Sequence, residues 1–370
     1  MINKKLNAVH SVVCENPDSI FQYFAWPSTE RLPNGQIAVA ASGFRFAHVC
    51  PFGKVVLCCS ADEGKTWSTP SIVMDTPLDD RDAGITCFGE NSLFLTSFNN
   101  SREFQRNVAK NMWDQKLSEN KKAFINAYID LVTDAQEEKY LGSTYRISRD
   151  GGVTWEEVKR IKITAPHGAA RTNDGGLLYV GRRFVTNEEE SWDIIAMASH
   201  DGENWEELCT LSPIPDDENG KLFPCEPHCI VLPNGKIIVH IRVQRASAKK
   251  QVFTIYQCIS LDNGQSFSTP VQICEHGSPP HLMRHSSGVL ICSYGYRQKG
   301  FGQRVMLSYD DGESWETDYI IREDGIDFDL GYPATIERKD GSLLTVYYQK
   351  RAQDAPCIIM SSIWELPKKL

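Results

Sequence analysis

The sequence predicts an all-β chain closed as a six-bladed β-propeller, with a short helical insertion in the second blade. Two repeats, out of phase with each other, predict it. The first is a turn of the form Ser-x-Asp-x-Gly-x-x-Trp, written at Ser60–Trp67, Ser148–Trp155, Ser199–Trp205, Ser260–Phe267 and Ser308–Trp315. In each copy Asp bonds back to backbone N–H groups, Gly supplies a left-handed residue, and the aromatic ring folds under the turn as an apolar plug. The third copy is one residue short and the fourth ends in Phe267. The second repeat is a hairpin signal followed by an apolar strand, at residues 32–35, 89–91, 173–175, 232–235, 285–288 and 339–341. Strand-forming runs such as Ile237-Ile238-Val239 and Leu343-Leu344-Thr345-Val346 follow it. In most units the turn follows the hairpin by about two strand lengths, which makes about four short strands per unit, one propeller blade. The sixth unit has no turn motif, and a strand near Ala8–Cys14 is expected to complete it beside residues 358–363, leaving no open sheet edge.

The repeats account for nearly all 370 residues, so the chain reads as one domain, 1–370, with one interruption. Residues 102–138 are polar, poor in Gly and Pro, and space Phe104, Val108, Trp113, Leu117, Phe124, Tyr128 and Leu131 as a helix would. One or two amphipathic helices are expected there, covering the side of the propeller; a lid or a homo-oligomer contact is the alternative. The net charge of −9 argues against nucleic acid or an anionic membrane surface as the main partner. No apolar run is long enough for a membrane helix, and the basic start lacks the apolar stretch of a secretion signal. The twelve cysteines sit mostly in apolar strand contexts, as reduced thiols of a cytoplasmic protein would. Cys225-Glu226-Pro227-His228-Cys229 lacks a second ligand pair, so no metal is expected, and no organic cofactor motif is present.

Two segments stand out for chemistry. One is Leu330-Gly331-Tyr332-Pro333-Ala334-Thr335, just before the last hairpin. The other runs from Glu226-Pro227-His228 through Asn234-Gly235 to His240-Ile241-Arg242. With the two repeats and the blade count they resemble the sialidase superfamily of Asp-box propellers, from about Phe24 to Tyr348. The resemblance implies a retaining exo-glycoside hydrolase with Tyr332 as nucleophile, Glu226 as the base that activates it, and Arg242 with Arg304 or Arg297 as partners of a substrate carboxylate. A neutral phenol can approach an anionic sugar that would repel a carboxylate nucleophile, and a guanidinium offers two N–H donors to a carboxylate's two oxygens. The sequence departs from the family twice. In Phe24-Ala25-Trp26-Pro27 the family's first clamp arginine is Ala25, and the stretch Gly43-Phe44-Arg45-Phe46-Ala47-His48 lacks the usual acid/base Asp. Arg45 and Arg81 are candidates to replace the missing cation, His48 and the cluster Asp79-Asp80-Arg81-Asp82 to supply the acid, with Asp80 taken as its catalytic member, and Trp26 is counted with the substrate-binding candidates.

The leading expectation is therefore retaining cleavage of a terminal acidic sugar, with a carbohydrate as the partner. Two alternatives are a propeller glycosidase or lyase acting on a uronic or deoxy sugar, and a non-catalytic carbohydrate-binding propeller, since the turn motif itself carries no chemistry.

Overall fold

The computed structural model describes residues 4–111, 117–184, 192–216, 220–245 and 252–368. Six antiparallel sheets follow one another along the chain. Blade 1 runs Tyr23–Arg31, Ile37–Arg45, Lys54–Ser60, Ser71–Met74, and blade 2 runs Arg81–Phe88, Ser92–Asn99, Gly142–Ser148, Lys159–Ile161. In blade 3 the short strands Ile163–Thr164 and Ala170–Arg171 both pair with Leu177–Arg183, followed by Ile194–Ser199 and Glu206–Thr210. Blade 4 is Phe223–Val231, Ile237–Arg245, Val252–Ser260, Val271–Cys274, and blade 5 is Pro280–Arg284, Leu290–Tyr296, Gly302–Ser308, Glu316–Arg322. Blade 6 takes Gly331–Glu337, Leu343–Lys350 and Cys357–Trp364 from the end of the chain and Ala8–Cys14 from its beginning. That strand pairs antiparallel with the last one, from Ala8 opposite Trp364 to Cys14 opposite Ile359, and closes the ring.

Each turn motif joins the third and fourth strands of blades 1 to 5. The Ser hydroxyl accepts the Gly N–H at 2.8–2.9 Å in all five copies. The Asp carboxylate accepts N–H groups further along the turn, as Asp62 does from Lys65 and Thr66 at 3.1 and 2.9 Å. The short third copy keeps this pattern by letting Asn204 Nδ2 donate where other copies use a hydroxyl. The aromatic residue of each turn packs into the core between its own blade and the preceding one. Trp67 joins blades 6 and 1, Trp155 blades 1 and 2, Trp205 blades 2 and 3, Phe267 blades 3 and 4, and Trp315 blades 4 and 5. Blade 6 has no motif, and Trp364 of its third strand fills the core between blades 5 and 6, donating its indole N–H to Thr345 Oγ1 at 2.8 Å.

The insertion forms three helices, α1 (Arg102–Asn111), α2 (Glu119–Leu131) and α3 (Asp134–Tyr140), against an expectation of one or two. The extra break is made by Thr133, whose side chain accepts from Gln136 N–H while the Gln136 side chain accepts from Thr133 N–H, a reciprocal cap that starts a new helix. Trp113 and the side chain of Val108 lie outside the described residues. Phe124 and Tyr128 of α2 pack on Phe52 of blade 1, and Gln105 of α1 reaches inward to donate to Asp79 at 3.1 Å.

Candidate active site

Four of the six inner strands bend at the same place. In blades 1, 2, 4 and 6 the pairing of the first strand with the second slips, between Ala25 and Ser28, Arg81 and Gly84, Cys225 and His228, and Gly331 and Ala334. Within each slip one non-glycine residue takes left-handed dihedrals: Trp26 (φ 54°), Asp82 (47°), Glu226 (47°) and Tyr332 (50°). Three of the four are followed by proline, at Pro27, Pro227 and Pro333, and the fourth by Ala83. A bulge of this kind adds a residue to one strand and re-aims its side chain, at a backbone cost of about 1–2 kcal/mol for a residue with a Cβ. Such strain persists where the surroundings over-determine it, commonly at functional sites.

The bulges of blades 4 and 6 bring the two sequence-predicted partners together. Tyr332 donates its phenol O–H to Glu226 Oε1 at 2.8 Å. Arg242, opposite the blade 4 bulge, donates through Nη1 to the other Glu226 oxygen and to the Tyr332 oxygen at 3.2 Å, while its Nη2 binds Gln244 Oε1 at 2.8 Å. Burial, then the charges of Glu226 and Asp82, holds the Tyr332 phenol well above its ordinary pKa, so it rests protonated and hydrogen-bonded to the Glu226 carboxylate. Glu226 lies in the wall of a cavity of about 150 Å³, together with Asp82, Phe98, Arg182, Trp192 and Gln244. The Arg182 guanidinium stands 4.8 Å from the centre of the Trp192 ring and makes no hydrogen bond to any described residue. Asp82 shares that wall with Glu226, and burial, followed by the Glu226 charge, pushes its carboxyl well above the ordinary range.

Asp82 therefore takes the place in the cavity that the sequence assigned to Asp80. The Asp80 carboxylate points away into blade 1, accepting from Thr76 N–H at 2.7 Å and from the Thr76 hydroxyl at 2.8 Å, and burial pushes it up to about 7. The bulge explains the exchange, because it turns the side chain of Asp82 out of the strand's regular alternation. A signal in the sequence was available: Asp82-Ala83 stands in register with Trp26-Pro27, Glu226-Pro227 and Tyr332-Pro333.

The remaining candidates fall into three places. Arg297 lies against Tyr332, 5.5 Å from the centre of its ring, and both its Nε and Nη2 donate to Leu330 O at 3.1 and 2.9 Å. Arg304 does not join the cluster; it sits on the third strand of blade 5, stacked on Tyr296 at 3.4 Å and paired with Asp318 at 2.8 Å. Arg45, Arg81, His48 and Trp26 form a group of their own. Arg45 has a side chain with 0% exposure and pairs with Asp79, which Arg81 approaches at 3.5 Å. Both guanidinium groups lie on the Trp26 ring, at 4.9 and 4.2 Å from its centre. His48 Nδ1 is 3.0 Å from Asp329, whose carboxylate also accepts from Tyr23 and Tyr348. Trp26 itself is 1% exposed and meets Tyr332 and Tyr348 edge-on at 6.4 and 6.1 Å. Of these four only Trp26 meets Tyr332, and none of the four is among the residues lining the cavity.

No family model and no curated protein matches the chain. Solved structures match its fold over nearly the whole length. A Dyadobacter fermentans protein of unknown function superposes with a TM-score of 0.74 at 19% identity, covering 97% of this chain and 98% of its own. The NanB sialidase of Streptococcus pneumoniae gives 0.66 at 13% identity over 96% of this chain and 70% of its own. An α-L-arabinanase of Penicillium chrysogenum gives 0.62 at 16% identity over 98% and 100%. The chain is a six-bladed β-propeller of the architecture these sialidase and arabinanase structures share.

Proposed function

We propose that the protein is a retaining exo-glycoside hydrolase in which Tyr332 attacks the anomeric carbon, Glu226 takes its proton, and Asp82 protonates the leaving group and then activates water. The observation that carries this reading is the Tyr332–Glu226 hydrogen bond at the wall of a cavity that also holds Asp82. A double displacement needs one group that gives up a proton to attack and a second that holds one for the departing oxygen. Tyr332 with Glu226 fits the first role. Asp82, with its carboxyl pushed up by burial and by a neighbouring charge, fits the second. A cavity of about 150 Å³ suits one terminal sugar residue and supports exo action. The propeller glycosidases among the structural relatives support carbohydrate as the substrate class.

An acidic terminal sugar is the leading substrate, its carboxylate received by Arg182, the cavity-wall guanidinium that stacks on Trp192 and makes no hydrogen bond to any described residue. A second reading, an uncharged terminal sugar, is favoured by one fact: Arg45, Arg81 and Arg304 are each committed to protein carboxylates, so none of these three is available to a substrate carboxylate. A panel of aryl glycosides decides between them. Turnover of an aryl sialoside or uronide, weakened mainly in KM by Arg182→Ala, supports the acidic sugar. Turnover of a neutral furanoside or pyranoside, indifferent to Arg182→Ala, supports the second reading. No turnover of any member by wild type, or full turnover by Tyr332→Phe, sinks both.

A further inference from the structure

The propeller axis holds a second cavity, of about 480 Å³, at the end away from Asp82 and Trp192. It is lined by the downstream halves of all six inner strands, next to the hairpins, where the upstream bulges carry the site described above. Three histidines from three blades close its inner end. His228 and His281 stack with ring centres 4.5 Å apart at 18°, and His167 meets both edge-on at 5.7 and 5.1 Å. All three are buried, at 7%, 8% and 3% exposure.

The backbone settles where two of the protons sit. His228 Nδ1 accepts the Leu282 N–H at 2.9 Å, and His281 Nδ1 accepts the Thr335 N–H at 3.3 Å. A ring nitrogen that accepts carries no proton, so in both neutral rings the proton is on Nε2. Each ring therefore offers the cavity an N–H donor, which is the opposite of what a metal ion requires. His167 Nδ1 lies 3.0 Å from the Ser28 hydroxyl, and its buried Nε2 has no hydrogen-bond partner among the described residues.

The lining carries charges of both signs, and its two carboxylates already accept N–H groups of the protein. Of the carboxylates lining the cavity, Glu30 accepts the N–H groups of Cys87 and Arg31 at 3.0 and 2.8 Å, and Glu337 accepts the N–H of Ser286 at 2.7 Å and its hydroxyl. Arg31 is bound to Glu63 at 2.9 Å. The Arg284 guanidinium is exposed and has no hydrogen bond or ion pair with any described residue, and that of Arg171, whose charge also acts on buried Glu30, has a 3.4 Å contact with Gly89 O. Two guanidinium groups with no carboxylate ion pair among the described residues, at the mouth, and two imidazole N–H donors inside define a site for negative charge on oxygen.

We propose that this axial cavity binds a small oxyanion, of the phosphate, sulfate or carboxylate type, through His228, His281, Arg171 and Arg284, independently of the hydrolytic site. The test follows the imidazole nitrogens of the intact chain by NMR while inorganic phosphate, and separately acetate, is titrated against a chloride background. The expected result is an Nε2–H tautomer for His228 and His281, and saturable shifts of these signals with at least one anion, the tighter of the two naming its class. Arg284→Ala, at an exposed position, is expected to raise the dissociation constant about tenfold, the loss of one charge-assisted contact of about 1.4 kcal/mol. Tyr332→Phe should leave it unchanged. An Nδ1–H tautomer in either ring, the absence of saturable shifts with both anions, indifference to Arg284→Ala, or loss of binding in Tyr332→Phe would each overturn the proposal.

Discussion

The rim and the hub of this propeller use the same device, a bent strand end, to opposite purposes. At the rim, the five turns repeat nearly the same residues and the same hydrogen bonds, and the motif glycine is left-handed in every copy, from Gly64 (φ 84°) to Gly312 (84°), with Glu63, Asn263 and Asp311 left-handed just before it in three of them. Their carboxylates lie at the surface, and the bonds they accept from the turn hold them below the ordinary range, as for Asp62, Asp150 and Asp201. At the hub, four inner strands share a bulge, but the left-handed position carries Trp26, Asp82, Glu226 and Tyr332, four different side chains on one repeated backbone. Here burial pushes protons onto Asp82 and Tyr332 instead of removing them. Repetition of both backbone and side chain marks what closes the ring. Repetition of the backbone alone marks where the ring varies its side chains.

That contrast can be broken at either end. Tyr332→Phe removes one hydroxyl at the hub and is expected to lower kcat by roughly 10³-fold or more while leaving the melting temperature near wild type. Trp364→Ala acts only on the frame: emptying the plug between blades 5 and 6 is expected to cost about 3–5 kcal/mol in denaturant unfolding, with kcat kept under conditions where the protein stays folded. Asp82→Asn is expected to cost about 10²-fold with poor leaving groups and much less with a strongly activated aryl glycoside, which needs no proton. The same variant sharpens the pH profile. Asp82 donates only while protonated, and its pKa is raised, so wild-type kcat is expected to fall as pH rises through neutrality. That limb should vanish in Asp82→Asn. Gly64→Ala has the smallest effect, about 1–2 kcal/mol of stability and none on kcat, because the new Cβ must adopt φ 84° and lies 2.7 Å from Leu344.

The sequence made the frame readable because its signals are local. Hairpins and turns are written in consecutive residues, so the number of blades and the closing strand at Ala8–Cys14 followed from spacing. Tyr332, Glu226 and Arg242 were readable for a different reason: their segments resemble those of the sialidase superfamily, and the structure joins the three in one hydrogen-bonded cluster. Asp82 and Arg304 were misplaced because direction across a strand is not local. One extra residue in a bulge turned Asp82 into the cavity in place of Asp80, and the position of Arg304 on an outer strand left it with Asp318. Trp26 was misjudged in the same way: its bulge buried the ring under Arg45 and Arg81 instead of exposing it to a sugar.

The central claim is that the buried phenol of Tyr332, not a carboxylate, forms the bond to the sugar. Its most direct test is to trap the intermediate with a fluorinated sugar bearing an activated leaving group, matched to whichever aryl glycoside the enzyme turns over, and to map the adduct by peptide mass spectrometry. The account predicts one adduct per chain, on the Tyr332 oxygen, absent from Tyr332→Phe. An adduct on Glu226 or Asp82, or turnover with inversion at the anomeric carbon, would contradict it.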